Sequence, residues 1–449
     1  MTITEFKDLL FKKAAAAGFE DYEVYSEKAD SFSVTVFKGN IEKYRKNIAA
    51  GVGFRGISAG KTGYAYSEDL SPEATDFIIK EAKANAEIMN PEETAEIFEG
   101  CKTYPDVEGL YNPNLALVSD KQKIEIAMEL EKAAYAYSPK IKQVTSCTVG
   151  SSESEVLIAN SKEMNLSQKR NSIFAYINVI AEENGRKKTG SEILAGTDLA
   201  AIDKEKLVKK ACDEAITALS AESAKGYTGK VIFKNEAFSD ILETFQQNFY
   251  AELAQKGFSL LKDKEGEKIA ADCVTIADEP LLKDGYSSTG FDSEGTASYN
   301  KTVIERGTLK TLLYNMKSAK KAGKVSTGNG FKSSYKGSVQ TFATNFYIKS
   351  GDISYSGLVK ELDKGIIITS VSGLHAGANP VSGDFSLLSE GFLVENGEII
   401  RPVDQITCAG NFYDLLKNIT KIADDLKFSL SGTGSPSLIA DKITISGGL

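Results

Sequence analysis

The chain has 449 residues, 42% of them hydrophobic and 26% charged, a composition typical of a soluble globular protein with two or three domains of roughly 100–200 residues each. Its net charge is −9 and its acidic and basic residues are interspersed, which disfavours non-specific binding of nucleic acid because such binding requires clustered Lys and Arg. No apolar run approaches the roughly 20 residues that span a bilayer, and the charged N-terminus lacks the apolar segment of a signal peptide, so neither membrane insertion nor secretion is expected.

The first half of the chain alternates between helical and strand patterns. Capping residues and the helical spacing of apolar side chains predict helices over residues 2–18, 70–89, 119–139 and 203–220. Alternation of apolar and polar residues predicts strands over residues 30–47, 51–67, 143–151, 154–161 and 172–185. Three prolines predict an irregular connection over residues 90–118.

The second half is predicted to form a separate domain. Residues 221–231 are interpreted as the boundary, which gives an N-terminal domain of residues 1–222 and a C-terminal domain of residues 223–449. One amphipathic helix is predicted over residues 236–256, and many short alternating runs with glycine turns follow it, as is typical of a barrel or a sandwich. The predicted fold class is therefore α+β, with a mixed α/β N-terminal domain and a β-rich, barrel-like C-terminal domain.

Two glycine motifs look like nucleotide sites but lack the required context. Residues 51–56, GVGFRG, match G-x-G-x-x-G, and a dinucleotide site needs that pattern between a strand and a helix. A strand pattern follows it in this chain, so the favoured interpretation is a glycine-rich turn between strands. The GKT at residues 60–62 lacks the first glycine of a P-loop, because Arg55 stands at that position.

The few histidines and cysteines limit the metal chemistry of the chain. Five cysteines lie far apart without a C-x-x-C pair, which predicts reduced thiols in a cytoplasmic protein. An H-E-x-x-H zinc helix needs two histidines, and the chain has only His375. A magnesium or calcium site made of carboxylates stays open. Residues 278–280 and 291–295 do not follow EF-hand spacing, however, and are interpreted as acidic loop ends.

Residues 370–399 contain the only histidine, two short loops and a predicted strand–turn–strand. The favoured interpretation of His375 is a loop imidazole that bonds backbone carbonyls and fixes a turn. A nucleophilic dyad of Cys408 with His375 is the alternative, because such pairs cannot be identified from sequence order. A free thiol in a strand pattern is more often simply buried.

The loop around His375 is predicted to be a rigid wall of polar turns. Asn379 precedes Pro380, which favours an extended backbone there. Ser382 and Asp384 flank a glycine in a second turn, where the Asp384 carboxylate is expected to accept from local backbone N–H groups.

Six phrases taken in order resemble the TldD/PmbA family, whose members are historically labelled modulators of DNA gyrase. They are GVGFRGISAGKTGYAYS, KGFSLLKDKEGEKIA, GFDSEGTASYNKTVIERGTLKTLLYN, STGNGFK, SGDFSLLSEGFLVENGEIIRPV and TCAGNFYDLLKNI with the later ADDLKF. The resemblance implies an α+β N-terminal domain, a barrel-like C-terminal domain and a dimer across a substrate cleft. It also implies kinship with cytoplasmic metallopeptidases that cut extended or unfolded peptides.

The chain lacks the zinc ligands of the family's TldD branch, in which an H-E-x-x-x-H helix and a later cysteine hold the metal. Counted back from Gly257, that motif falls on Leu242, Glu243 and Gln247, and residues 427–438 contain no cysteine. Leucine has no donor atom, and an amide is a poor zinc ligand beside imidazole or thiolate. The resemblance therefore implies the PmbA/TldE branch, with no catalytic residue and no metal ligand in this chain.

The function implied by this resemblance is that of a non-metal subunit, with zinc expected only in a TldD-like partner. The chain would form a homodimer or a heterodimer with that partner and bind an extended peptide by strand addition, with no nucleic acid or membrane as partner. His375, Asn379, Ser382 and Asp384 would shape a loop of the cleft. Two alternatives stay open: a peptidase in its own right, with another nucleophile or metal site, and a binding protein that acts on a topoisomerase.

Overall fold

The structure is a computed structural model that describes residues 1–89 and 96–448. The predicted connection over residues 90–118 lies partly outside the described residues. The predicted N-terminal caps are present, including capping boxes at Thr2 and Ser119. The helices of the described chain are α1 (Ile3–Ala16), α2 (Pro72–Ile88), α3 (Asp120–Tyr137), α4 (Lys204–Ala218), α5 (Asn235–Phe245), α6 (Ala251–Gln255), α7 (Met316–Ala322), α8 (Tyr355–Leu362), α9 (Leu374–Gly377) and α10 (Phe412–Lys417).

The N-terminal region is built on one antiparallel sheet of long strands. Its order is β3-β2-β1-β4-β5-β6, so β3 and β6 form the two edges. Helices α1 and α2 pack on the β1–β3 part of the sheet, and α3 and α4 pack on the β4–β6 part. The strands are β1 (Asp21–Phe37), β2 (Asn40–Ser58), β3 (Lys61–Ser67), β4 (Ile141–Asn160), β5 (Asn165–Glu183) and β6 (Arg186–Gly196).

Two strands predicted separately over residues 143–151 and 154–161 form the single strand β4. The sequence pattern is interrupted there by the polar run at residues 151–155. Pairing on both edges keeps this run extended, since Ser151 lies opposite Phe32 of β1 and Ile173 of β5. Tertiary hydrogen bonding therefore overrides the local break in alternation.

The interpretation of GVGFRG as a turn was wrong, because residues 51–56 lie inside β2. The turn to β3 is formed instead by Ala59 and Gly60, both with positive φ. The glycines serve close packing. A Cβ on Gly51 would lie 2.2 Å from the ring of Tyr335, and a Cβ on Gly53 would lie 2.3 Å from the Tyr335 carbonyl oxygen. Glycine thus lets the second half of the chain dock directly on the N-terminal sheet.

The C-terminal region contains a closed five-stranded barrel, which agrees with the barrel-like domain predicted from the sequence. Its order is β16-β15-β14-β7-β20, and β20 also pairs with β16 to close the ring, while β17 adds to β20 outside it. The predicted α+β fold class is therefore confirmed. The strands named here are β7 (Tyr227–Phe233), β14 (Gly365–Ser372), β15 (Asp384–Glu395), β16 (Glu398–Asn411), β17 (Ile419–Ile422) and β20 (Leu438–Gly447).

A second C-terminal sheet of short strands lies between the barrel and the N-terminal sheet. Its order is β10-β9-β8-β13-β19-β18, and β11 and β12 form a separate two-stranded hairpin. The main core of this half begins at Ala224, whereas the cores of the first half end at Leu219. The boundary at residues 222/223 stays a prediction, which these separate cores support. The strands are β8 (Ile276–Asp278), β9 (Lys301–Glu305), β10 (Thr308–Leu309), β11 (Gly330–Phe331), β12 (Gln340–Thr341), β13 (Phe346–Ile348), β18 (Lys427–Phe428) and β19 (Thr433–Ser435).

Within residues 1–89 and 96–448, no helix is both long and apolar enough to cross a membrane.

The docking of Tyr335 on β2 predicts that Gly53→Ala lowers the melting temperature by several degrees. The added methyl group would clash with a backbone oxygen, which cannot move aside by a change of rotamer. Overpacking of this kind costs about 1–3 kcal/mol of unfolding free energy. Gly229→Ala is the matched control, because this strand glycine has only ordinary contacts beyond 3.4 Å. Thermal unfolding followed by circular dichroism measures both. Equal melting temperatures for the two variants would contradict the close approach.

Candidate functional site

The segment that holds the degenerate zinc motif is not the single helix predicted over residues 236–256. Helix α5 ends at Phe245, a 3₁₀ turn covers Gln246–Phe249, and α6 begins at Ala251. The interruption is caused by backbone pairing with Leu313. Its N–H donates to the Phe249 carbonyl at 2.8 Å, and its carbonyl accepts from the Ala251 N–H at 2.9 Å. Because Leu313 is distant in sequence, the helical spacing of residues 236–256 could not predict this pairing.

The predicted inward face of this segment is correct despite the break. The five predicted side chains are fully buried in the main C-terminal core; they are Phe238, Ile241, Leu242, Phe245 and Phe249. The rings of Phe245 and Phe412 stack with centroids 4.6 Å apart. Leu242, which stands at the first ligand position of the zinc motif, is therefore part of the hydrophobic core.

The other two motif positions make hydrogen bonds within the protein. Glu243 Oε2 accepts from the Ser431 hydroxyl at 2.7 Å. The Gln247 side-chain amide donates to the Thr244 carbonyl at 3.2 Å. Ser431 belongs to residues 427–438, the segment in which the family resemblance places the missing cysteine. The fold thus brings close together the two segments to which the family resemblance assigns the zinc site.

These residues do not fit zinc. The available donors are the Glu243 carboxylate and the hydroxyls of Ser429 and Ser431, whereas structural and catalytic zinc sites are built from imidazole, thiolate and carboxylate groups. No group of three or more His, Cys, Asp or Glu side chains that could hold a metal ion occurs in the described ranges. A neighbouring carboxyl, Asp240, is partly buried and faces Glu243 and Glu236, and burial followed by their repulsion raises its pKa to about 6.

His375 lies in α9 and is exposed. Its imidazole makes no hydrogen bond to a described residue, so the interpretation that it fixes the turn was wrong. The flanking glycines behave as expected, since Gly373 has φ +84° and a Cβ on Gly377 would lie 2.4 Å from the Ser386 carbonyl oxygen. The turn is held instead by the backbone, since the N–H groups of Ala376 and Gly377 donate to the Gly373 carbonyl at 3.0 and 2.7 Å.

Asn379 organises the polar loop through its side chain. Its carboxamide oxygen accepts from the backbone N–H groups of Val381 and Ser382, at 3.0 and 3.3 Å. The role expected of Asp384 was wrong in detail, because its carboxylate accepts from the Ser382 hydroxyl and the Asn411 side-chain amide rather than from backbone N–H groups. These hydrogen bonds lower the pKa of Asp384.

The Cys408–His375 dyad is opposed by burial. Cys408 is fully buried in β16, and burial raises the pKa of its thiol to about 12. A neutral, enclosed thiol is a poor nucleophile. The exposed imidazole of His375 forms no hydrogen bond that would activate it.

The acidic residues interpreted as loop ends are buried. Asp278 pairs with Lys301 at 3.0 Å and accepts from the Thr344 N–H at 2.6 Å. Asp292 and Glu294 accept backbone hydrogen bonds, and burial together with the charge of Glu294 raises the pKa of Asp292 to about 8. These carboxyl groups organise the interior of the protein and are not solvated.

Two cavities lie between the N-terminal sheet and the C-terminal region. The large cavity, of 720 Å³, lies between the ends of β5 and β6 and residues 284–286, and Leu430 also lines it. The small cavity, of 260 Å³, lies between the faces of β1, β4 and β5 and C-terminal residues 287–293, 331–332 and 342–344. Arg170 of β5 lines both. The four loop residues His375, Asn379, Ser382 and Asp384 line neither.

The small cavity adjoins the degenerate zinc position. Ser287 lines this cavity and donates from its hydroxyl to the Ser431 carbonyl at 2.7 Å, and Ser431 in turn contacts Glu243. Arg170 and Lys332, the two cations of the cavity wall, were missed by sequence reasoning. The only available signal was that Lys332 ends the family phrase STGNGFK.

Comparisons with known proteins agree with this architecture. Three domain models match, described as PmbA/TldA metallopeptidase domain 1, central domain and C-terminal domain, over residues 22–86, 113–219 and 226–447. The three matches together cover most of the chain, and the third, a metallopeptidase C-terminal domain, covers its C-terminal half. The chain belongs to the PmbA/TldD metallopeptidase family.

Individual relatives come from both branches of this family. The metalloprotease PmbA of Escherichia coli O157:H7 is 29% identical over 90% of this chain and 88% of that protein. A TldD homologue of Buchnera aphidicola is 28% identical over 89% of this chain and 86% of that protein. Identity alone therefore does not select a branch.

Solved structures share the whole fold. A Thermotoga maritima protein described as a modulator of a DNA gyrase superposes with a TM-score of 0.91 at 32% identity, covering 99% of this chain and 100% of that one. TldE from Thermococcus kodakarensis superposes with a TM-score of 0.89 at 23% identity, covering 98% and 100%.

Burial of the first motif position predicts that Leu242→Ala costs about 2–5 kcal/mol of unfolding free energy, the usual range for a large-to-small change in a core. Urea denaturation measures the loss. Leu260→Ala is the control, because Leu260 is 57% exposed and surface changes stay within about 0.5 kcal/mol. A loss at Leu242 as small as that of the control would place this residue outside the core.

The loop geometry predicts opposite results for its two titratable residues. His375→Gln should leave the melting temperature and the activity of a reconstituted complex nearly unchanged, because the imidazole makes no hydrogen bond. Asp384→Ala should lower the melting temperature, since Ser382 and Asn411 lose their shared acceptor. Removal of a general base costs roughly 10²–10⁴-fold in rate. A loss of that size in His375→Gln at unchanged melting temperature would make the histidine catalytic.

Proposed function

We propose that this chain is the PmbA/TldE-like, non-metal subunit of a two-component peptidase that acts in the cytoplasm on extended or unfolded peptides. One observation carries the proposal. The two segments that the family resemblance assigns to the zinc site lie together, but Leu242 is core, Gln247 bonds the Thr244 carbonyl and Glu243 bonds a serine. A TldD-like partner would supply the zinc, which polarises a peptide carbonyl and activates water.

The role of this chain's own residues is to bind and orient the peptide. The large cavity, at 720 Å³, falls within the roughly 300–1,000 Å³ of ligand pockets. It is lined by Ala195 and Gly196 at the end of β6, an edge strand with no second strand partner in the described chain. Such an edge can take a peptide as a further strand, although the Ala195 carbonyl already accepts from the Tyr286 hydroxyl at 3.2 Å and the Ser191 N–H donates to Glu214 at 2.9 Å.

The partner is either a TldD-like subunit or a second copy of this chain. The first arrangement rests on the resemblance to the PmbA/TldE branch, because Leu242 and Gln247 stand at the ligand positions of the zinc motif. A peptidase that works alone is opposed by the buried Cys408 thiol and by the unsuitable donors around Glu243. Action on a topoisomerase is suggested by the description of the Thermotoga relative as a modulator of a DNA gyrase.

Purification of the chain alone, and together with a TldD-like protein of the family, tests the proposal. The chain alone should carry well below one zinc after dialysis and should not cleave fluorescein-labelled β-casein, an unfolded probe. The mixture should elute as one complex, cleave the probe and lose activity with a chelator. One firmly held zinc per chain, or cleavage by the chain alone, would overturn the proposal.

A matched pair of variants makes the assay specific. Glu243→Gln should leave the activity of the complex nearly intact, because a non-metal subunit has no metal-bound water for this carboxylate to deprotonate. Loss of a general base would instead lower the rate by roughly 10²–10⁴-fold. Glu252→Gln, on the partly buried α6, is the control for loss of one negative charge on the same segment, where Glu252 pairs with Lys256.

A further inference from the structure

The small cavity holds two cations without an anionic partner. Arg170 donates from Nη2 to the Tyr286 carbonyl at 2.8 Å and forms no ion pair in the described ranges. The Lys332 ammonium lies 4.9 Å from the ring centre of Tyr25 and 5.5 Å from that of Tyr64, and it too lacks an ion pair there. Arginine with an open fork of donors is suited to planar anions.

Glu23 and Glu294 attract Lys332, but neither forms an ion pair with it, and each has another partner. Glu23 pairs with Arg55 at 3.2 Å, and Glu294 Oε2 accepts from the Met316 N–H at 2.7 Å. Asp292 also lines the cavity, but burial together with the charge of Glu294 raises the pKa of its carboxyl and so favours the neutral form. Burial lowers the pKa of Arg170, and it lowers that of Lys332 to about 8. Because an unpaired buried charge is costly, a bound anion would stabilise both cations.

The rest of the lining fits a carboxylate at the end of an otherwise uncharged group. Hydroxyl groups come from Ser287, Thr289, Ser293 and Thr344, and the apolar lining includes Val156, Ile158, Phe291 and Phe342. The large cavity, in contrast, is lined by Asp198 and Asp284, whose charges repel an anion. Arg170 stands on the wall of both cavities, so an anion near it is favoured on the side of the small cavity.

We propose that the small cavity is a carboxylate subsite, in which Arg170 and Lys332 bind the carboxylate of a peptide whose backbone lies in the large cavity. The carboxylate is that of the C-terminus or of an Asp or Glu side chain. The subsite rests on the proposed function, because that function places the peptide beside Arg170. It adds a preference in substrate class, namely peptides with a free carboxylate at or near one end.

Fluorescence polarisation with the full chain tests this preference. The probes are fluorescein-labelled Ser-Val-Ser-Val-Ser-Val as the free acid, the same peptide as its C-terminal amide, and Ser-Val-Ser-Val-Glu-Val as its amide. The free acid or the glutamate amide should bind roughly tenfold or more tightly than the plain amide, the size expected from one charge-assisted hydrogen bond. The stronger of these two identifies the source of the carboxylate. Equal binding of all three peptides would overturn the subsite.

Charge variants assign the preference to the cavity. Arg170→Gln should abolish it, and Arg170→Lys should keep part of it because the charge remains while the fork of donors is lost. Lys169→Gln is the matched control, since this neighbour on β5 is exposed and pairs with Glu155. If Arg170→Gln does not fold, as judged by its melting temperature, Lys332→Met serves as the second test. A preference that survives in a folded Arg170 or Lys332 charge-loss variant would overturn the subsite.

A short probe separates failure of the subsite from failure of the proposed function. N-acetylvaline and N-acetylvalinamide are compared by ligand-observed NMR with the unmodified chain and with Arg170→Gln. If only the acid binds, and only when Arg170 is present, the subsite is supported. If at the same time no hexapeptide binds, the subsite stands and the proposed capture of extended peptides is overturned. Hexapeptides that bind without regard to charge leave peptide capture standing and overturn the subsite. Absence of binding by every probe overturns both.

Discussion

The packing between the two halves of this molecule depends on the contact of residues 331–335 with the N-terminal sheet. Tyr335 lies where side chains on Gly51 and Gly53 would clash, its hydroxyl donates to Glu68 at 2.8 Å, and its carbonyl accepts from the Tyr64 hydroxyl. The same approach carries Lys332 over the Tyr25 and Tyr64 rings. The small cavity takes part of its second wall from this segment, through Phe331 and Lys332, whereas residues 284–286 and Leu430 line the large cavity.

Docking of this kind buries charged groups, and ion pairs and hydrogen bonds offset their desolvation cost. Glu23 and Arg55 pair within the interface, while backbone N–H groups solvate Asp292 and Glu294. Isolated buried charges are expensive unless paired or hydrogen-bonded. Arg170 and Lys332 stand apart from this pattern, and for that reason they are the residues that indicate a ligand.

The segment at the positions of the zinc motif keeps its place in the fold without a metal ion. Glu243 and Ser431 still meet, and stacking of Phe245 on Phe412 together with pairing of Phe249 and Ala251 to Leu313 fixes the segment that bears them. These forces are packing and backbone hydrogen bonding, and they do not require a metal ion. A scaffold held in this way does not depend on zinc ligands.

The sequence by itself determined the features that depend on neighbouring residues. The capping boxes at Thr2 and Ser119, the buried face of α5 and the β15–β16 turn with positive φ at Asn396 and Gly397 all follow local rules, and the ordered glycine phrases indicated the family. The tertiary structure decided the rest.

Only the tertiary structure could reveal the end of α5 at Phe245 and the packing of Tyr335 against glycines of β2. It also placed Arg170 and Lys332 on the wall of one cavity. The physical reason is that periodicity along the chain reports which face of an element is buried. Strand pairing, close approach and the assembly of charges depend instead on segments that are distant in sequence and meet only when the two halves dock.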